Sequence, residues 1–176
     1  MKSKFYITKL LVLFQLFFNY GYSDEFNLDA KSLNILNKGD IIEASGDVEI
    51  LTDTNLKIFS DKSTINKKEQ LLVAEDNVKL IDQSNEIIVT SEFMKYEKLK
   101  ELIFVKGYSE TNFSKDYKIK TKNLYFDRKK MIVYSDQKTI IVDKDENSIN
   151  LDRFKFNVNS KIVEASNIDL KDNEGN

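Results

Sequence analysis

Ile42-Glu43-Ala44-Ser45-Gly46-Asp47-Val48-Glu49-Ile50 is written nearly a second time thirty residues on, as Leu72-Val73-Ala74-Glu75-Asp76-Asn77-Val78-Lys79-Leu80. Within each stretch apolar and polar residues alternate, as in Ile42, Ala44, Val48 and Ile50. That is the period-2 signature of a strand with one buried face. The phrase continues down the chain. Its small or apolar residue recurs as Ala44, Ala74, Val105, Tyr134 and Ala165, and two residues later come Gly46, Asp76, Gly107, Asp136 and Asn167. All five are types that tolerate a bend or a positive φ.

A second phrase is interleaved with the first: an apolar residue, a small one, then two apolar residues. It reads Leu28/Ala30/Leu33/Ile35, Ile58/Ser60/Ser63/Ile65, Val89/Ser91/Met94/Tyr96, Ile119/Thr121/Leu124/Phe126 and Ile149/Leu151/Phe154/Phe156. The parity of the buried positions shifts after the small residue, as a β-bulge or a bend between two short strands produces. Each half-repeat therefore reads as a kinked strand. Polar clusters separate them as hairpin loops: Asp53-Thr54-Asn55, Lys67-Lys68-Glu69-Gln70, Asp82-Gln83-Ser84-Asn85, Ser114-Lys115-Asp116, Asp127-Arg128-Lys129-Lys130 and Asp143-Lys144-Asp145-Glu146-Asn147.

A regular period of this size implies a supersecondary unit that cannot bury its apolar face alone and stacks on its own copies. Kinked up-and-down strands stacked in this way predict an all-β fold, a repeat-built antiparallel β-jelly-roll with two facing sheets, open at its ends. The segment from Leu28 to Ile35 and the final strand from Ile162 to Leu170 are expected at opposite ends, as edges able to accept another chain.

Composition narrows the chemistry. The chain of 176 residues has no Cys and no His, which removes thiol nucleophiles, imidazole proton shuttles, the usual zinc sites and disulfides. Its 27 basic and 29 acidic side chains are interspersed, so nucleic acid is not expected as a partner. No metal or cofactor is expected either. The acids fall in loops or on the polar parity of strands, and no pair of them marks a catalytic site, so the expectation is a protein that is not an enzyme.

The N-terminus carries Lys2, Lys4 and Lys9, then Leu10-Leu11-Val12-Leu13-Phe14-Gln15-Leu16-Phe17-Phe18, then the small residues Gly21 and Ser23 around Tyr22. This pattern predicts a secretory signal peptide over residues 1–23, cleaved after Ser23, with one domain over 24–176. Its removal takes away three Lys and no acid, moving the formal charge from −2 to −5.

Ala44-Ser45-Gly46-Asp47-Val48 resembles the Ala-x-Gly-Asn-Val phrase of the OstA-like family of lipopolysaccharide transport, which takes in LptA, the N-terminal periplasmic domain of LptD and, more remotely, LptC. Ala74-Glu75-Asp76-Asn77-Val78 repeats it with Asp76 in place of the Gly, and Phe59-Ser60-Asp61-Lys62-Ser63-Thr64-Ile65 resembles the family's Ala-Asp-Lys-Val-Thr-Tyr segment, departing at Ser60, Ser63 and Ile65. The likeness covers roughly residues 26–170. It implies a periplasmic jelly-roll that holds the acyl chains of lipopolysaccharide between its sheets. It also implies head-to-tail joining with LptC-like and LptD-like jelly-rolls, or with itself, as part of a bridge between the two membranes. A free-standing LptA-like protein and the N-terminal piece of a truncated or split LptD-type chain are both compatible with it, as is a structural β-repeat module of the envelope that carries no lipid.

The candidate lipid track is the set of inward residues Val48, Ile50, Ile58, Val78, Leu80, Val89, Tyr117, Ile119, Ile141 and Ile149; the same residues would form the core of any closed β-sandwich. The small residues Ala44, Ala74, Ser60 and Ser91 fit either room for a lipid tail or close approach of the sheets. Lys67-Lys68 and Arg128-Lys129-Lys130 are expected as solvated turns, the alternative being contact with lipid phosphates.

Overall fold

The computed structural model describes residues 26–113 and 117–171. The expected signal peptide and the loop Ser114-Lys115-Asp116 lie outside the described residues. Fourteen strands follow one another: β1 (Phe26–Asp29), β2 (Ser32–Leu36), β3 (Ile41–Thr52), β4 (Leu56–Asn66), β5 (Leu71–Asp82), β6 (Ile87–Glu97), β7 (Leu102–Phe113), β8 (Tyr117–Asp127), β9 (Ile132–Ser135), β10 (Thr139–Asp143), β11 (Ser148–Leu151), β12 (Arg153–Asn157), β13 (Ile162–Ser166) and β14 (Asp169–Lys171). All pairings between them are antiparallel. Among the described residues no helix is long and apolar enough to cross a membrane.

The five pairings among the long strands β3 to β8 each slip register in mid-strand, between Ser45 and Val48, Phe59 and Lys62, Glu75 and Val78, Ser91 and Phe93, and Val105 and Tyr108. These are the bends expected from the parity shift. Gly46, Asp47, Asp76, Asn77 and Gly107 take positive φ there, which bends the strand and flips the inward parity. Before β3 and after β8 the same bend becomes a break: β1 and β2 both pair with β3, while β9 and β10 pair with opposite halves of β8.

One continuous hydrogen-bonded sheet is thereby folded along a line of bulges into two facing walls. Wall A holds β1, β10, β11, β14 and the halves of β3 to β8 nearest the 53–55, 83–86 and 144–147 turns. Wall B holds β2, β9, β12, β13 and the other halves, nearest the 67–70, 98–101 and 128–131 turns. The two facing sheets of the sequence reading are thus halves of one sheet.

Four of the five second-phrase copies, from Ile58 to Phe156, are buried throughout apart from half-buried Ser91 and Ile149. One position of the first phrase is corrected. Tyr134 points outward and stacks on Tyr125 at 5.0 Å, whereas its neighbour Ser135 is fully buried. The inward series is Ala44, Ala74, Val105, Ser135 and Ala165, with Gln137 rather than Asp136 at the bend; the aromatic pair on the outer face explains why Tyr134 reads as apolar yet is not core. Gly46, Asp76, Gly107 and Asn167 have the positive φ expected of them and Asp136 does not.

Candidate functional site

The interior is a set of straight rows set by strand register. On wall A, Leu28 pairs Ile50, Ile50 pairs Ile58, Ile58 pairs Leu80 and Leu80 pairs Val89; the row continues through Thr111, Ile119 and Ile141 to Ile149. Seven of the predicted track residues, Ile50, Ile58, Leu80, Val89, Ile119, Ile141 and Ile149, fall in this one row. Val48 and Val78 lie one row nearer the bend, beside Ser60 and Ser91. All nine face inward, and all are buried except half-buried Ile149. Tyr117 does not join them: it opens β8 at the rim and is 45% exposed. Opposite, wall B presents Ile35, Ile42, Ile65, Leu72, Tyr96, Ile103, Phe126, Val133, Phe156 and Val163 in register.

The small residues sit where the walls converge. Ala44, Ser60, Ser63 and Ala74 flank the bulges and are buried, and Ser60 Oγ lies 2.8 Å from Ser63 Oγ across the bend of β4. Ser91 holds the same place in β6, beside Val78, and is half-buried.

Away from the bend the two rims meet in a polar clasp that the loop reading missed. Arg128, expected as a solvated turn residue, is almost buried. Its Nε donates to Asp82 Oδ2 at 3.1 Å, Nη1 to Glu101 Oε2, and Nη2 to the carbonyl of Thr54 at 3.2 Å. Tyr96 donates its hydroxyl to Glu101 Oε1 at 3.0 Å and lies 3.3 Å from Thr54 Oγ1. Asp82, fully buried, also accepts from the backbone and side chain of Asn85. Lys98 bridges the seam again, 2.9 Å from Asp53 and over the ring of Phe26.

Burial pulls the Arg128 guanidinium down, but the carboxylates of Asp82 and Glu101 outweigh it and hold its pKa above the usual arginine value. Burial pushes the Tyr96 phenol up to about 12, so it stays a donor at any working pH. The clasp ties its carboxylates to the guanidinium, an amide and a phenol, and its evident work is mechanical closure. Further along, Phe113 from wall A meets Phe156 from wall B edge-on at 4.8 Å. Among the described residues no group of three or more His, Cys, Asp or Glu is placed to hold a metal ion.

These cross-seam contacts are staggered. Thr54 meets a residue 42 positions later and Asp82 one 46 positions later, whereas rims folded straight across would join neighbouring turns about half a repeat apart. The right-handed twist of the sheet carries the walls past one another, here by about one repeat. Wall B therefore overhangs at the N-terminal end and wall A at the C-terminal end.

The N-terminal overhang is open. Leu33 and Ile35 have inward parity opposite Ala44 and Ile42, yet are 50% and 64% exposed. With Phe26, Leu28, Ile42 and Ile65 they line a groove of about 800 Å³ rimmed by Lys38, Lys67 and Lys68. β1 and β2 each pair only with β3, and β13 and β14 pair only with β12 and β11. The segments expected at the two ends are edge strands.

No family model matches the chain, and no curated protein matches it. Among solved structures it is similar to LptH of Pseudomonas aeruginosa, described as the LptA-homologous periplasmic component of the conserved lipopolysaccharide transport device. The identity is 11%, the match covers 82% of this chain and 92% of that one, and the TM-score is 0.32. At that score the likeness carries no argument. The fold stands on the strand register and the bends.

Proposed function

We propose that this protein is a non-enzymatic lipid carrier of the cell envelope: a periplasmic jelly-roll over residues 24–176 that binds lipopolysaccharide by its acyl chains and forms part of a bridge between inner and outer membranes. The observation that carries this reading is the apolar row of wall A, which runs from strand to strand through the fold and emerges beside an uncovered groove at the overhang. An acyl chain is driven from water into such a surface by roughly 0.8 kcal/mol per buried methylene, and a row that is aliphatic at every position but Thr111 suits passage better than a fixed pocket would. The phrases around Gly46 and Asp76 support the same reading through their resemblance to the OstA-like family.

The overhangs bear on partners. Each end offers an edge strand of both walls, β1 and β2 at one end and β14 and β13 at the other. A jelly-roll of the same kind, LptC-like, LptD-like or a second copy, would extend both walls at once by edge pairing. The chain would serve equally as a free-standing LptA-like link or as the N-terminal domain of an LptD-type assembly.

A structural β-repeat module is the second reading, favoured by the closed middle, where the inward residues are packed and the seam is clasped. Photo-crosslinking to lipopolysaccharide separates the two. Probes at Ile58, Val89 and Ile119 should crosslink, and probes at the outward positions Phe59, Ile88 and Lys118 should not. Absence of crosslinks at every site in folded protein favours the structural module.

A further inference from the structure

In the inward row of wall A every residue from Leu28 to Ile149 is aliphatic except one, Thr111 on β7. It pairs with Val89 on one side and Ile119 on the other, both core residues, and is itself 0% exposed. Its Oγ1 is buried without a hydrogen-bond partner, alone in this among the described side chains. Nearby buried hydroxyls are satisfied: Thr121 lies 2.8 Å from Thr139, and Ser135 donates to the carbonyl of Lys122 at 2.7 Å.

Valine has the same shape as threonine and would fill the position without desolvating a hydroxyl, which is unfavourable when no partner is found. In an empty, closed protein the hydroxyl therefore has a cost and no return. A partner can come only from the space between the walls, where Thr111 stands between Ser109 on the bend side and Phe113 at the rim.

We propose that Thr111 is the hydrogen-bonding contact for a guest acyl chain that carries an oxygen, as an ester, amide or hydroxyl, and that it makes the interior favour such chains over plain hydrocarbon. The inference rests on the lipid-carrier reading and specifies the chemistry of its guest. A single polar atom in an apolar row would retain an oxygenated chain in register without trapping it, since one hydrogen bond is a modest addition to many buried methylenes.

The test uses the purified protein, Thr111→Val and Thr111→Ser, with stearic acid and hydroxystearic acid, whose hydroxyl lies in mid-chain, competing for a fluorescent fatty-acid probe. Without lipid, Thr111→Val should melt at a higher temperature than the parent. The parent and Thr111→Ser should bind hydroxystearic acid about fivefold more tightly than stearic acid, the worth of one net hydrogen bond, and Thr111→Val should bind the two alike. A lower melting temperature for Thr111→Val would mean that the hydroxyl already has a partner, and would overturn the proposal. So would a parent that binds both acids equally, or a Val variant that keeps the preference. If neither acid binds any variant, the lipid-carrier reading itself falls and this one with it; equal binding by the parent removes the Thr111 contact alone.

Discussion

The clasped middle and the overhanging N-terminal end are made from the same repeat, yet one is sealed and the other open. Ile65 and Ile35 occupy equivalent places in successive copies of the second phrase; Ile65 is buried and Ile35 is 64% exposed. Ile65 lies on a central strand between Ile42 and Leu72, whereas Ile35 lies on an edge strand with Ile42 on one side. They differ also in whether a rim of the opposite wall faces them. Beyond Ile65 the staggered rims meet; at β2 the walls stand apart across the open groove. Burial in this protein is decided by position along the stack more than by local sequence.

That contrast can be broken most severely at Arg128. Arg128→Ala leaves the buried Asp82 carboxylate without its cation, a change that typically costs about 3–5 kcal/mol, read as a fall in the denaturant midpoint. Arg128→Lys, which keeps the charge and loses the fork, should fall between the two. A loss below about 1 kcal/mol for the alanine variant would mean that the clasp does not hold the seam.

In the sealed region, Leu80→Ala should cost about 2–5 kcal/mol through the cavity it opens. A smaller loss is expected at the bend. Gly46 has φ 78, and a Cβ there would lie 3.1 Å from the Lys31 side chain; Gly46→Ala should cost about 1–2 kcal/mol for the left-handed backbone alone. At the overhang, Ile35→Ala should shift stability by no more than about 0.5 kcal/mol, the smallest effect of the series, although the residue is as apolar as Leu80. Equal losses for Leu80→Ala and Ile35→Ala would erase the distinction between the two regions.

Much of the fold was legible because the period is written in side chains. The parity shift around Ser60 and Ser63 marked the bend in β4, and Gly46 marked that in β3. The slip at Tyr134, read in place of Ser135, arose where an aromatic pair on the outer face imitates a core residue; Phe104, Tyr125 and Tyr134 form a row there. The inward track was legible for the same reason as the strands, except at Tyr117, where a strand end lifts an inward position to the rim. The clasp was not legible. Its members come from turns up to 74 positions apart, and only the twist of the assembled sheet brings Thr54, Asp82, Tyr96, Glu101 and Arg128 together. Nor could alternation alone reveal that Thr111 lacks a partner, since most buried threonines find one.

The line of bulges has a further consequence for size. Because every repeat crosses the fold line twice, each copy of about thirty residues adds two strands to each wall, lengthening the enclosed space by about 10 Å at the usual inter-strand spacing while leaving its cross-section alone. Reach and bore are therefore independent variables in this architecture. Duplicating or deleting a copy would act as a ruler on the first, and only substitutions in the inward rows would alter the second.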